Sequence, residues 1–143
     1  MASLRMVHEL EELPRPDVPL YHELFSWEGD EEPLPGKWLQ AVASAFGADF
    51  VKDKKLTEAV FRERYLSDPR FDRAGFFFVM SRGDTAGTAF AWCDEDDPSL
   101  GQLHWLTVPP AHQRIGIGRC LALLVLHHHK SLGRKRVFLR TEP

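Results

Sequence analysis

The sequence predicts an α/β domain. Two segments with apolar residues at helical spacing, 37–46 and 56–66, occupy the first half of the chain. From Gly75 onward the period changes to short runs rich in aromatic and β-branched residues. These runs lead to a strand, a glycine turn, a long apolar helix and a final strand. With 143 residues, of which 43% are hydrophobic, the chain is large enough to build one core.

The first half of the chain predicts one short strand and two helices. The strand is expected over 5–10, and the prolines after it exclude a helix there. Gly47 is a natural end for the first helix, over 37–46, and Thr57 is the expected N-cap of the second, over 56–66. An acidic loop, 28–35, precedes the first helix.

A β-hairpin is expected next. Two β-rich runs, 76–81 and 87–93, are joined by the polar turn Arg82-Gly83-Asp84-Thr85. A second acidic loop, 94–98, leads to a strand over 103–108, and a last strand is expected over 136–141. Because the chain has no repeat, low-complexity tract or linker, we expect one domain over 1–143.

The segment after the glycine pair is the best-supported helix. Its apolar residues follow the helical period over 117–132, and Gly133 is the expected C-cap. Near its end stand three consecutive histidines, His127, His128 and His129. Successive helical side chains point about 100° apart, so these three cannot converge on one ion. We expect no metal site, and we expect the histidines to be partly buried at the surface.

Charge is distributed unevenly along the chain. Residues 1–103 carry 11 Lys and Arg against 20 Asp and Glu, whereas residues 104–143 carry 7 against 1. The basic part coincides with the strand, glycine turn and helix. A helix N-terminus in that position presents unpaired N–H groups and a positive dipole end, which bind phosphate. A small polyanionic ligand is therefore favoured over nucleic acid, which the acidic chain as a whole would repel.

Membrane insertion and export are not predicted. No apolar run approaches the roughly 20 residues needed to cross a bilayer, and the first residues lack the apolar stretch of a signal peptide. We expect a cytoplasmic protein. Cys93 and Cys120 have neither metal nor redox spacing and are expected to be free, buried thiols.

The glycine turn matches neither common nucleotide motif. Only Gly116-Ile117-Gly118 of the G-x-G-x-x-G pattern is present, and no G-K-[ST] follows. The segment Gln113-Arg114-Ile115-Gly116-Ile117-Gly118 instead fits Q/R-x-x-G-x-G/A and resembles the coenzyme A pyrophosphate signature of the GNAT superfamily of N-acetyltransferases. The preceding strand LHWLTV, the apolar helix and the strand VFLRT also fit that family. The resemblance covers 5–143 and is strongest over 101–141.

This resemblance implies a mixed, mostly antiparallel sheet flanked by helices, with a splay between strands 103–108 and 136–141. It also implies that acetyl-CoA is the co-substrate. Backbone amides would hold its pyrophosphate at Gln113, Arg114, Ile115, Gly116, Ile117, Gly118 and Arg119, with added charge from two of these, Arg114 and Arg119. The motif strand would pair with the pantetheine arm and supply an amide near the thioester carbonyl, at Leu106, Thr107 and Val108.

The implied chemistry is acetyl transfer to a primary amine. Some relatives carry a glutamate base on the motif strand, and the matching residue here is Gln102, which cannot act as a base. His104 lies on the same face and has an ordinary pKa near neutrality, so it is our candidate general base. There are two alternatives to His104 as the base. His104 has only a structural hydrogen bond, or an acidic residue of 94–97 acts as the base through a water molecule. Tyr21 and Tyr65 match no family position, and no general acid is assigned.

Many relatives continue beyond the L-R-T strand, whereas this chain stops at Pro143. We expect a domain that lacks the usual C-terminal part. Either the chain is truncated, or a partner subunit completes the sheet, or the protein is a reduced family member that binds coenzyme A without efficient turnover. An exposed terminal strand would favour a homodimer by edge pairing. The leading hypothesis is an acetyl-CoA-dependent N-acetyltransferase acting on a small molecule or peptide amine. The alternatives are a non-catalytic acyl-CoA-binding or regulatory module, and an interaction domain whose glycine turn binds nothing.

Overall fold

The computed structural model describes residues 4–10, 12–26 and 32–141. Its strands form one sheet of six, in the order β1-β6-β5-β4-β3-β2. They are β1 Leu4–Glu9, β2 Glu23–Ser26, β3 Phe76–Ser81, β4 Asp84–Cys93, β5 Leu100–Thr107 and β6 Arg136–Thr141. Neighbouring strands are antiparallel except β5 and β6, which are parallel. The predicted α/β class with a mixed, mostly antiparallel sheet is confirmed.

The helices agree with the predicted positions but differ at their ends. α1 spans Leu34–Phe46, three residues longer at its start than predicted, because a proline is compatible with the first helical turn. Gly47 ends it with φ 95°. α3 spans Glu58–Phe61, and Thr57 caps it by accepting from the Val60 N–H at 3.1 Å. The chain continues as one π-helical turn, Arg62–Leu66.

Two short elements were not predicted. α2, Ala48–Asp53, follows α1 directly, and β2 is a four-residue edge strand. Neither segment is long enough to display a clear hydrophobic period. Half of the predicted acidic loop 28–35, residues 28–31, lies outside the described residues, and its last two residues begin α1.

The hairpin is confirmed with a tighter turn than predicted. Arg82 and Gly83 both have positive φ, 50° and 84°, and β4 begins directly after them at Asp84. Two consecutive left-handed residues are the geometry of a type I′ turn, whose twist matches that of antiparallel strands. The Arg82-Gly83-Asp84 triplet is accordingly part of a β-turn.

Helices pack on both faces of the sheet. On one face α4, Ile117–Ser131, contributes Ile117, Leu121 and Val125 to a core with β3 and β4. Each such fully buried aliphatic side chain contributes roughly 1.5–3 kcal/mol relative to exposure. On the other face α1 and the α3 segment build an aromatic core, whose rings are Trp38, Phe61, Tyr65, Phe76, Phe78, Phe90 and Trp92.

The C-terminal strand is not an exposed edge. β1 pairs with β6 along its whole length, from Leu4 opposite Thr141 to Glu9 opposite Arg136. The prediction of an exposed terminal strand is therefore wrong, because the N-terminal strand folds back onto it. The edge pairing that suggested a homodimer through 136–141 loses its physical basis.

Cys93 and Cys120 are free and buried, as predicted. No helix within the described ranges combines the length and the apolar character required to cross a membrane.

Candidate active site

The parallel strands β5 and β6 separate soon after they begin to pair. Their register contains Leu100 opposite Arg136, Gly101 opposite Val137, and Gln102 opposite Phe138. Within the described residues, the remainder of β5 from Leu103 onward has no register partner on β6. The predicted splay between these strands is confirmed. An opening of this kind leaves strand N–H and C=O groups available to an extended ligand.

A β-bulge shapes β5 beside this opening. Thr88 faces Thr107 and Phe90 faces His104, so Ala89 of β4 lies opposite two residues of β5. One of them, Trp105, has φ 49°. Bulges turn side chains away from the regular alternation and are frequent beside functional sites. Here the bulge residues Trp105 and Leu106 directly follow His104, and Leu106 is the first of the predicted pantetheine contacts at 106–108.

The glycine turn follows β5 and is tied back to it. The Gln113 side chain donates from Nε2 to the Val108 carbonyl at 2.9 Å. Arg114 and Gly116 both have positive φ, 68° and 92°. No described atom lies within 4 Å of a Cβ placed on Gly116, so its left-handed backbone, not lack of space, requires glycine. A Cβ on Gly118 would make an ordinary contact with Val108, at 3.7 Å.

The glycine turn is followed by the N-terminus of α4, which has no side-chain cap among the described residues. The first α-helical bond runs from the Cys120 N–H to the Gly116 carbonyl at 3.0 Å. The three preceding amides, of Ile117, Gly118 and Arg119, therefore have no intrahelical acceptor. The arrangement can bind an anion, and it brings together in one continuous turn all of the residues predicted for the pyrophosphate.

His104 lies on the aromatic face of the sheet. Its ring is 5.1 Å from Phe90, 5.3 Å from Tyr65 and 6.3 Å from Trp92, measured between centroids. Burial, with a smaller contribution from the positive charge of Arg70, lowers the pKa of His104 to about 4. His104 is consequently neutral at pH 7. This pKa is lower than the near-neutral value on which the prediction of His104 as a general base relied.

Arg70, whose charge acts on His104, is held in place by three contacts. Its guanidinium pairs with the Asp68 carboxylate at 3.0 Å, donates to the Cys93 carbonyl at 3.0 Å and lies 4.6 Å from the Trp92 ring centre. The Asp68 partner raises the pKa of Arg70. A permanent positive charge is therefore fixed at one side of the aromatic face.

Tyr65 contacts both His104 and Trp105, a position that the sequence alone did not indicate. Its hydroxyl oxygen lies 2.7 Å from Nε1 of Trp105 and 3.1 Å from Nε2 of His104. Burial raises the pKa of Tyr65. The contact joins residues about 40 positions apart in sequence. The available signal was a tyrosine among the apolar positions of 56–66, since a buried tyrosine hydroxyl usually requires a partner.

The alternative bases in the loop 94–97 hydrogen-bond within that loop. Asp94 Oδ2 accepts from the N–H groups of Asp96 and Asp97 at 3.0 Å. Asp97 accepts from the Ser99 hydroxyl at 2.6 Å. The loop precedes β5, at the opposite end of that strand from the glycine turn.

The three histidines of α4 point to three different segments. His127 contacts the Pro14 carbonyl at 2.7 Å, His128 the Asp72 carboxylate at 2.6 Å, and His129 the Gln102 carbonyl at 2.9 Å. They do not converge, and the described part of the chain contains no group of residues suited to a metal. His129 is fully buried, which corrects the expectation of a surface position.

The fold and the site together define a class of protein. A mixed sheet with a gap between two parallel strands, followed by a glycine turn and an open helix N-terminus, is an acyltransferase fold. The chain belongs to the acetyltransferase (GNAT) family, whose model matches residues 8–143.

Curated relatives are identical to this chain at about a third of the aligned residues. Mycothiol acetyltransferase of Thermobispora bispora is 33% identical over 135 residues, which cover 89% of this chain and 43% of that protein. Mycothiol acetyltransferase of Mycobacterium marinum is 31% identical over 134 residues, which cover 86% of this chain and 41% of that protein. This chain thus spans less than half the length of these relatives.

Solved structures share the fold at lower identity. A GCN5-related N-acetyltransferase from Sphaerobacter thermophilus has a TM-score of 0.71 and 16% identity, covering 99% of this chain and 42% of that one. N-acetylglutamate synthase from Neisseria gonorrhoeae, complexed with coenzyme A and N-acetyl-glutamate, has a TM-score of 0.57 and 14% identity, covering 83% of this chain and 25% of that one. These likenesses concern the fold alone.

Proposed function

We propose that this domain binds acetyl-CoA and transfers its acetyl group to a primary amine of a small molecule or peptide. The transfer takes place by direct attack in a ternary complex. The observation that carries this proposal is the separation of β5 from β6 after Gln102, immediately before the glycine turn and the uncapped start of α4. A pantetheine arm and a pyrophosphate require these two features side by side.

The proposed cofactor contacts are almost entirely backbone groups. The amides of 113–119 hold the pyrophosphate, because the helix dipole and unpaired N–H groups favour an anion there. The side chains of Arg114 and Arg119 are exposed and add positive charge. The pantetheine arm pairs with the end of β5 at Leu106 and Thr107 and with the next residue, Val108, in the manner of an added strand.

The chemical step needs a neutral amine, a stabilised oxyanion and a protonated thiol product. The amine nitrogen attacks the thioester carbon, and a backbone N–H of 106–108 stabilises the oxyanion. His104 accepts the proton released by the amine. With a pKa of about 4, His104 is always available in its neutral form at pH 7 but holds a proton weakly. The proton must therefore move on quickly to the departing thiolate.

A non-catalytic acyl-CoA-binding module is the second candidate. The specific observation in its favour is the poor basicity of the residues on the motif strand, since Gln102 cannot take a proton and His104 is a weak base. This candidate shares the cofactor site with the first. The two differ only in whether bound acetyl-CoA is consumed.

Titration calorimetry with acetyl-CoA tests the shared site. The expected result is saturable binding that Gly116→Ala weakens about tenfold, because alanine in a left-handed conformation costs roughly 1–2 kcal/mol. Gly118→Ala is the matched control and should retain the affinity, because its backbone is helical and its Cβ has space. No heat of binding at millimolar acetyl-CoA would refute both candidates.

Release of free CoA thiol separates the two candidates. The acceptor panel contains polyamines, amino acids, aminoglycosides and peptides. It also contains deacetylated mycothiol, because the relatives are named for mycothiol, and acetylation of that thiol-bearing amine is monitored by the loss of its amine. Thiol release above the hydrolytic background with at least one acceptor supports the transferase. Binding without any acceptor-dependent release supports the binding module.

A further inference from the structure

The hydroxyl of Tyr65 is buried between two ring nitrogens of β5. Trp105 Nε1 lies at 2.7 Å and His104 Nε2 at 3.1 Å, and Tyr65 itself is 8% exposed. The π-helical turn Arg62–Leu66 carries Tyr65 to this position. Such turns are costly and occur frequently at functional sites.

The direction of both hydrogen bonds follows from the donors. An indole nitrogen can only donate, so the Tyr65 oxygen accepts from Trp105. The Tyr65 proton then needs an acceptor of its own, because buried hydroxyl groups are almost always paired. Among the described residues, the acceptor within hydrogen-bond distance is His104 Nε2. The network therefore assigns the O–H to His104 and the imidazole proton to Nδ1.

This assignment changes how His104 can act. Its basic nitrogen is occupied by the phenol, so a substrate proton cannot reach Nε2 directly. The phenol oxygen has a second lone pair, which lies toward the exposed side chain of Arg64, and the acceptor amine would take the place of Arg64 there. We propose that Tyr65 relays the proton of the acceptor amine to His104, a role that rests on the proposed acetyl transfer.

The relay begins with attack by the amine. The amine nitrogen forms its bond to the thioester carbon, and its proton passes to the Tyr65 oxygen while the Tyr65 proton passes to His104 Nε2. The carbon–sulfur bond then breaks, and the electron pair leaves on the CoA sulfur as a thiolate. The imidazolium returns one proton through the same phenol to that thiolate. Tyr65 and His104 end the cycle in their starting states.

The surroundings favour a short-lived imidazolium. Arg70, itself paired with Asp68, lies on the His104 side, and Arg64 lies on the Tyr65 side. From β4 the facing side chains are the uncharged rings of Phe90 and Trp92. Positive charge and burial both oppose the charged form of His104, so the proton is passed back instead of being retained.

Nitrogen-15 spectra of the histidine rings test the hydrogen bond without any reaction. In the wild-type protein at pH 7, His104 is expected as the Nδ1–H tautomer, and Tyr65→Phe is expected to shift its Nε2 resonance. His104→Gln assigns the signal. An Nε2–H tautomer in the wild-type protein would overturn the relay.

Kinetics with acetyl-CoA and the fastest acceptor of the panel test the relay itself. Tyr65→Phe keeps the ring but removes the hydroxyl, and kcat should fall about 100-fold with KM for acetyl-CoA unchanged. The solvent isotope proton inventory should change from two transferred protons to one. The double variant with His104→Gln should be no slower than the slower single variant.

The outcomes distinguish the relay from the proposed function. Absence of transfer by the wild-type protein would overturn both. Transfer that Tyr65→Phe leaves within about threefold of wild type, or losses that multiply in the double variant, would overturn the relay alone.

Discussion

The Gln102 carbonyl accepts a hydrogen bond from His129 Nε2 at 2.9 Å, at the last residue where β5 pairs with β6. On the other side of the ring, His129 Nδ1 lies 3.1 Å from an Arg134 guanidinium nitrogen. Arg134 in turn donates to the Pro98 carbonyl at 2.9 Å. The end of α4 is thus fastened to β5 where the strands begin to separate.

His129→Ala should destabilise the fold. The side chain is fully buried, and its loss leaves a cavity and an unpaired Gln102 carbonyl. The expected decrease in the free energy of unfolding is about 2–4 kcal/mol, measured by urea denaturation. His127→Ala is the control, because His127 is only half-buried and hydrogen-bonds to the Pro14 carbonyl of a different segment. An equal effect of both variants would contradict a special role of His129.

Gly101→Ala should also destabilise the fold. A Cβ at this position would lie 2.6 Å from His129 Nδ1, closer than a packed core tolerates. We expect a loss of about 1–3 kcal/mol and a lower thermal midpoint. The double variant Gly101→Ala with His129→Ala should show a smaller loss than the two single variants added together. Strict additivity would show that the two residues do not share this contact.

Stability should decrease as the pH falls. Burial lowers the pKa of His129 from its ordinary 6.5 to about 4, so the unfolded chain binds its proton first. The contribution of neutral His129 to the free energy of unfolding is about 3 kcal/mol. This contribution is complete above pH 6.5 and is lost as the pH falls towards 4. Urea unfolding at several pH values should show a weaker dependence in His129→Gln than in wild type. An identical dependence would show that another group governs it.

Removal of the Arg70 charge should raise the pKa of His104. Arg70 is the secondary cause of the lowered value and burial is the main one. In Arg70→Met the pKa should therefore rise but remain below 6.5, as measured by NMR titration. Lys52→Met, which removes an exposed charge from α2, should leave it unchanged. A fall in the pKa would contradict the assigned influence of Arg70.

The sequence predicted local elements better than contacts between them. The strand 136–141, the Thr57 cap and the turn at Gly116 depend on neighbours in sequence, and the structure has all three. The contact of Tyr65 with β5 and the cover of β6 by β1 depend on packing of distant segments. Hydrophobic period alone carries no information on either.

The structure of this domain in complex with coenzyme A tests the proposed cofactor site most directly. We expect the pantetheine arm between β5 and β6, paired with the backbone at Leu106 and Val108. We expect the pyrophosphate at the amides of 113–119. Coenzyme A bound elsewhere, with the gap between the strands empty, would contradict the proposed cofactor site.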